Sequence, residues 1–357
     1  MSRLWNPNQH YDSIALWLDG NDPNNNNSQG LPDSGKTAIT WKDKSKNNIK
    51  FEAFGYTNFN NPEYLVDQVT ELTFTGGAGY ADGTYQEVRL AAVWPSTGTD
   101  IYLNLVVSGG AVTEILTISG NYGFQVGDAL EEATDLNSGN TNAVFTVSKV
   151  ERRGGVLSGT SISDALDSFE SESLSAPLTY LDVYIAGNFR SRDYANISFV
   201  GLDDTGDNDR DILLTLDSSS ANKVAAGVKY LHATGTGTFT TNVTENEPHI
   251  YHYRISSAGT QVKLDGFQQI AEGDTTPALF PETTYRWTVF NNVDTNPFVT
   301  LKSRGTMFEV IVFDKPIPAE DQAKCEAYLA QKYGIPLSSN STYFAKTAYA
   351  SSLFNGA

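Results

Sequence analysis

Residues 30–37, Gly-Leu-Pro-Asp-Ser-Gly-Lys-Thr, match the P-loop pattern of nucleotide-binding proteins at every fixed position. That chemistry needs a strand before the loop and a helix after it, so that backbone amides and the helix N-terminus surround a phosphate. Here an Asn-rich stretch precedes the loop, and residues 39–41 predict a strand after it. Pro32 also removes one amide donor. We therefore expect no ATP binding through Lys36.

Paired carboxylates would indicate a glycan hydrolase, because such enzymes place an acid and a second carboxylate on one strand face. Side chains alternate along a strand, so the pair must be separated by an even number of residues. Glu309 is followed by Asp314, at an odd separation. Glu309 is therefore predicted to be hydrogen-bonded structurally, and no catalytic residue is assigned.

The candidate metal ligands are the four histidines and the acidic runs. His249 and His252 are three residues apart on a predicted strand and therefore face apart, and no cluster completes a zinc site. The densest acidic run, 203–211, offers several oxygens from one loop, as calcium requires. It lacks the glycine and the closing glutamate of an EF-hand. Two alternatives remain, a solvated loop or a calcium site formed by Asp203, Asp207, Asp209 and Asp211; no other cofactor is expected.

The bulk composition favours an all-β chain whose partner is not a nucleic acid. Tyr and Phe number 18 each against 2 Met, and aromatic side chains suit pleated, half-buried surfaces. The 357 residues carry 24 basic and 42 acidic side chains, a net charge of −18. That field repels phosphate backbones and anionic membranes.

The sequence contains few signals of the cellular compartment in which the protein is located. The one cysteine, Cys325, excludes an internal disulfide, so the fold does not depend on an oxidising compartment. The N-terminus has no apolar stretch typical of a signal peptide, and no apolar run approaches the ~18 residues of a membrane span. We expect synthesis in the cytoplasm without a signal peptide, and no membrane insertion.

The elements that must position these residues are mostly strands. Apolar or alternating runs predict strands at 13–19, 178–185, 249–256 and 306–313, the last apolar on both faces and therefore central. One helix is predicted over 319–333, with acids in its first turn, an apolar stripe, and Gly334 and Pro336 to end it.

The chain is predicted to contain an insertion. Residues 70–153 are Gly-rich, and Ser108-Gly109-Gly110 between two β-rich runs indicates a tight hairpin. We expect residues 1–69 and 154–337 to form one β-sandwich, with 70–153 as an inserted small β domain and 338–357 as a tail.

Several stretches resemble laminin-G-like domains, of the concanavalin A-like kind, in bacteriophage structural proteins. They are Leu16-Trp17-Leu18-Asp19, residues 41–45, Leu264-Asp265-Gly266, residues 308–314 and residues 328–334. The insertion is similar to Gly-rich modules in structural proteins of tailed phages of cyanobacteria. The resemblance implies an all-β, antiparallel β-sandwich with one C-terminal helix and an inserted β domain.

The same resemblance implies a non-catalytic virion structural protein on the particle surface, as a capsid decoration or a fibre or tail component. Its partners would be other virion proteins, copies of itself and a host-surface glycan. The alternative is a carbohydrate-binding module or a glycan hydrolase on the same fold.

The tail carries large aromatic residues among small polar ones. Each aromatic side chain hides ~150–250 Å² when buried, so exposure in a free tail would be a liability. Burial against its own domain and burial against a neighbouring subunit both remain open. The candidate interface residues are Tyr343, Phe344, Tyr349 and Phe354.

Overall fold

The computed structural model describes residues 5–25, 40–54, 63–93, 101–119, 124–132, 141–158, 168–175, 178–190, 196–204, 212–220, 223–230, 236–237, 248–270, 284–290 and 304–338. These residues form two antiparallel sheets, one helix and a short 3-10 helix at Pro7–Ser13. No helix in these ranges is long and apolar enough to cross a bilayer.

The strands of the first half, in chain order, are β1 (Ile14–Asp19), β2 (Thr40–Lys42), β3 (Lys50–Phe54), β4 (Glu63–Thr75), β5 (Gly83–Ala92), β6 (Ile101–Ser108), β7 (Ala111–Ser119), β8 (Ala129–Glu132), β9 (Val144–Ser158) and β10 (Ser168–Ser171). Those of the second half are β11 (Tyr180–Arg190), β12 (Asn196–Asp204), β13 (Ile212–Ser220), β14 (Lys223–Tyr230), β15 (Thr236–Gly237), β16 (Pro248–Ser256), β17 (Gly259–Leu264), β18 (Phe267–Ile270), β19 (Tyr285–Val289) and β20 (Arg304–Phe313). The helix α1 covers Ala319–Tyr333.

Two sheets pack face to face around the main core. The larger sheet runs β18-β17-β16-β11-β20 and continues into β9, and the other runs β15-β14-β13-β12-β19-β10-β3-β2. Inward residues of β16, namely Tyr251, Tyr253 and Ile255, belong to a core that also contains Trp41 and Trp287. Because alternate strand residues face opposite ways, His252 and Arg254 point to the other face of the sheet. The predicted alternation of β16 is confirmed.

The helix α1 covers that other face of the larger sheet. Its apolar stripe, including Cys325, Leu329 and Tyr333, packs on outward residues of β1, β11 and β20. Gly334 has φ 67°, the left-handed conformation that ends a helix, and its amide bonds the Ala330 carbonyl. The predicted helix bounds are confirmed, as is the central position of β20, which pairs with β1, β9 and β11.

A second core lies among β4 to β9. Strands run in the order β4-β9-β8-β5-β6-β7, and the two ends of this series, β4 and β7, approach each other. The sheet therefore curls into a barrel that is left open between β4 and β7. The apolar residues inside include Val88, Leu103, Leu105 and Phe145. We refer to β4–β9 as the curled module; the predicted domain limits at 70 and 153 stay a prediction.

The predicted hairpin between β6 and β7 has a tight two-glycine turn. Gly109 and Gly110 have φ 64° and 78°, positive at both central positions as a type I′ turn requires. In all, the prediction of an antiparallel β-sandwich with one C-terminal helix is confirmed.

Candidate functional site

Two acidic side chains that are far apart in sequence meet at the larger sheet. β1 and β20 pair antiparallel, and Asp19 lies directly opposite Glu309 in their register. Directly opposed residues of an antiparallel pair place their side chains on the same face. The spacing of acids along single strands does not predict this pair, because its two members lie on different strands and become neighbours only when β1 pairs with β20.

A lysine of α1 lies between these two carboxylates. Lys332 Nζ is 2.8 Å from Asp19 Oδ1 and 2.7 Å from Glu309 Oε2. Glu309 also accepts hydrogen bonds from Trp17 Nε1 at 2.7 Å, Tyr333 Oη at 2.8 Å and Tyr328 Oη at 3.2 Å. We call these six residues, Trp17, Asp19, Glu309, Tyr328, Lys332 and Tyr333, the helix-clamp cluster.

The two carboxylates of the helix-clamp cluster differ in pKa. Burial raises the pKa of Glu309, and Lys332 only partly offsets this effect. Burial also acts on Asp19, but Lys332 and Lys44 together outweigh it and hold the Asp19 pKa below its usual value. The difference follows from the second cation, since Lys44 Nζ lies 3.1 Å from Asp19 Oδ2.

The burial of this pair does not suit glycoside hydrolysis. Both carboxylates contact one Nζ, so their nearest oxygens are at most about 5.5 Å apart, which does not exclude the separation of about 5–5.5 Å in retaining enzymes. However, Glu309 is 0% exposed and Asp19 is 5% exposed. A sugar ring cannot reach carboxylates beneath a helix, so the helix-clamp cluster fastens α1 to the sheet. Glu309 is hydrogen-bonded as expected, and the absence of a catalytic role stays a prediction.

A second buried polar centre surrounds His252. Its Nδ1 lies 2.9 Å from Glu326 Oε1, and its Nε2 contacts Asp182. Lys263 Nζ lies 3.1 Å from the same Glu326 oxygen. Burial would raise the pKa of both acids, but His252 and the neighbouring cations outweigh it and lower both. Each charge is thus matched by an opposite one, as a buried charge requires.

This centre has no features of a nucleophilic or metal site. Cys325 is 0% exposed, and burial raises the pKa of its thiol well above the usual value, which disfavours the reactive thiolate. Across the described ranges, no three His, Cys, Asp or Glu side chains are grouped to hold a metal ion. The centre joins α1, β11 and β16 without an accessible reactive atom.

An open cleft lies where the curled module meets the sandwich. It has a volume of about 830 Å³. One wall belongs to the curled module and consists of residues 69–72 and 74 of β4 and residues 113–118 of β7. The other wall belongs to the sandwich and consists of Asn188, Pro248, His249, Asp265, Thr306, Phe308, Gly334 and Pro336. In the described part of the chain, β4 pairs only with β9 and β7 only with β6. Each strand therefore has one edge without a strand partner among the described residues, and both strands line the cleft.

The lining of the cleft is mixed and acidic. Leu116 is 47% exposed, and the hydroxyl oxygens of Thr70 and Thr117 are buried without a hydrogen-bond partner among the described residues. The charged described side chains of the lining are Glu71, Glu114 and Asp265, against the single imidazole of His249. His249 Nδ1 lies 2.7 Å from Asp265 Oδ2, so that carboxylate already has a partner. The cleft therefore favours neutral or cationic ligands.

The predicted site residues lie almost wholly outside the described residues. Of the calcium candidates, only the backbone of Asp203 is described, at the end of β12, while Asp207, Asp209 and Asp211 are not. The candidate interface residues Tyr343, Phe344, Tyr349 and Phe354 are also outside, as is the P-loop match. The described element after that match is the strand β2, where a phosphate site needs a helix.

Comparison with known proteins gives distant structural similarities only. No family model and no curated protein matches the chain. A pentraxin of Limulus polyphemus is 10% identical, over 42% of this chain and 72% of its own, with a TM-score of 0.34. A sialidase CBM40 of Ruminococcus gnavus bound to α2,3-sialyllactose is 10% identical, over 45% and 97%, with a TM-score of 0.33. A mutant Trypanosoma rangeli sialidase with trans-sialidase activity is 10% identical, over 70% and 54%, at 0.34. Such low scores carry no argument about this chain.

Proposed function

We propose that the chain is a non-catalytic structural protein of a phage particle surface, and that it acts by binding an extended protein segment in its cleft. The observation that carries the binding role is that two strands lining the cleft, β4 and β7, each have an edge without a strand partner in the described part of the chain. An exposed edge offers a row of backbone donors and acceptors, and an extended segment can add to it as a further strand. The particle context rests on the sequence resemblance alone.

The absence of catalysis is supported by the two buried polar centres. The acids that could serve as acid and base, Asp19 and Glu309, are closed off beneath α1 and paired with Lys332. The His252 centre is equally enclosed. Purified protein should therefore release no reducing sugar from a panel of plant, bacterial and animal polysaccharides. Hydrolysis that is lost in Glu309→Gln would overturn this part of the proposal.

The assembly role is tested by two matched variants in the curled module. Leu116→Asp introduces a negative charge in the cleft. Val126→Asp introduces the same charge outside the cleft, at a residue that is 66% exposed. We expect quantitative mass spectrometry of purified particles to detect the wild-type and Val126→Asp chains at the same copy number. Leu116→Asp should be depleted. Equal incorporation of both variants would contradict assembly through the cleft.

A glycan is the second candidate ligand, because hydroxyl and amide groups line the cleft. The exposed side chain of Thr113 can exchange hydrogen bonds with sugar hydroxyls. Binding of neutral oligosaccharides on a glycan array, lost in Leu116→Asp and kept in Val126→Asp, would favour the glycan over the protein segment.

A further inference from the structure

We propose that the cleft binds residues 339–357 of the same chain as an added strand alongside β7; this rests on the proposed role of the cleft as a site for extended segments. Three observations carry it: where the described chain ends, how far the following segment reaches, and the charges on the two partners.

The chain leaves the sandwich at the rim of the cleft. The amide of Ser338, the last described residue, donates to the carbonyl oxygen of Asp265 at 2.8 Å. Asp265, Gly334 and Pro336 all line the cleft. Residue 339 therefore begins at the sandwich wall of the cleft, and β7 lies on the opposite wall. A short tether of this kind gives an effective concentration in the millimolar range, which favours the chain's own cleft over that of another copy.

The segment is long enough, and its composition suits a strand. Its 19 residues can span about 60 Å when extended, whereas the six cleft-lining residues of β7, Thr113–Ile118, span about 20 Å. Thr342-Tyr343-Phe344 and Thr347-Ala348-Tyr349 are rich in β-branched and aromatic residues, and no proline interrupts residues 339–357. Aromatic side chains could cover Leu116 and Ile115 at the cleft wall.

The charges of the two partners are complementary. Residues 339–357 contain one charged residue, Lys346, and no acid, in a chain with 42 acids and 24 bases. The cleft presents Glu71 and Glu114, both exposed. The Lys346 ammonium would be attracted to these carboxylates, whereas an acidic segment would be repelled.

Lys346 supplies the test, because trypsin cuts after lysine and intact mass reports the loss of residues 347–357. The full chain is digested briefly as wild type, Leu116→Asp, Val126→Asp, Glu114→Lys and Glu131→Lys. Glu131 is exposed on β8 and does not line the cleft, so it matches Glu114. We expect cleavage after Lys346 to be about tenfold faster in both cleft variants than in wild type and the two controls, since cleavage follows the released population.

Each outcome decides between the alternatives. Equal cleavage rates in all five proteins would overturn the inference. Wild-type protection that rises with protein concentration would place the segment in the cleft of a second copy, which also overturns binding within one chain. If Leu116→Asp alters the thermal unfolding of the whole chain, the Glu114→Lys and Glu131→Lys pair decides alone. Equal cleavage together with depletion of Leu116→Asp from particles would leave the proposed function standing with another segment as ligand.

Discussion

Lys332 contacts two buried carboxylates, and among the described residues its removal leaves Glu309 without a cation while Asp19 keeps Lys44. We expect Lys332→Met to lower the free energy of unfolding by about 3–5 kcal/mol, the usual cost of breaking a buried ion pair. Lys324→Met is the control, because Lys324 lies on the same helix and pairs with the exposed Glu320 and with Asp321. It should cost about 1 kcal/mol or less. Urea unfolding measures both, and equal losses would contradict the role given to the helix-clamp cluster.

The His252 centre predicts a particular acid sensitivity. The pKa values of Asp182 and Glu326 are lower in the folded chain than in the unfolded chain. Their stabilisation is therefore complete above their ordinary pKa values, about 4, and is lost as the pH falls through the folded values. Asp182→Asn should lower the overall stability and flatten the decline below about pH 4. Urea unfolding at several pH values measures the slope, which the exposed Asp12→Asn should leave as in wild type.

At the scale of residues, the sequence predicted the environment of single residues better than the contacts between residues that are distant in the chain. The expectation that Glu309 is hydrogen-bonded followed from its odd separation from Asp314. Its contact with Asp19 and Lys332 did not, because β1 and β20 are separated by nearly the whole chain and only their register brings the three together. The His252 centre was missed for the same reason, since its acids lie on β11 and α1.

At the scale of elements, two glycines with the same backbone conformation should respond differently to a methyl group. Gly109 and Gly77 have φ 64° and 67°. A Cβ at Gly109 would meet nothing within 4 Å, whereas one at Gly77 would lie 2.6 Å from the Thr141 carbonyl oxygen and 2.7 Å from the Ala143 amide nitrogen. Gly109→Ala should cost about 1–2 kcal/mol, the cost of the left-handed conformation alone.

Gly77→Ala should cost more, because the backbone around residues 141–143 must also shift. Thermal unfolding of both variants measures the difference. Gly109→Asn serves as the control, since asparagine tolerates this conformation and should recover part of the loss. A Gly77→Ala variant as stable as Gly109→Ala would show that the close approach is not needed.

Elements with strong local signals were predicted well. The sequence of the helix at 319–333 contains acids in its first turn, an apolar stripe, and Gly334 and Pro336 at its end. The strands β1, β16 and β20 have clear apolar patterns. The curl that brings β4 beside β7 has no such local signal, since it depends on the twist summed over six strands. The cleft was therefore beyond prediction from the sequence.

At the scale of the whole molecule, the curled module should be removable. Leu65 and Gly155 are direct partners in the β4–β9 ladder, so a two-residue Asn-Gly turn can join them in place of residues 66–154. We expect the remaining sandwich to keep a cooperative thermal transition in near-ultraviolet circular dichroism, which reports the buried Trp41 and Trp287. Loss of that transition would contradict an independent insertion.

The strand β9 has a mechanical consequence. Its first part pairs with β8 inside the curled module, and its last residues, Val156–Ser158, pair with Met307, Thr306 and Gly305 of the central strand β20. Along the same length β4 flanks it. A pull on the module along the direction of β9 is therefore transmitted through a continuous strand to β20, where the ladder between Val156–Ser158 and residues 305–307 would be loaded in shear. The junction between the curled module and the sandwich is therefore expected to be rigid, and force applied to the module would reach the sheet that α1 covers.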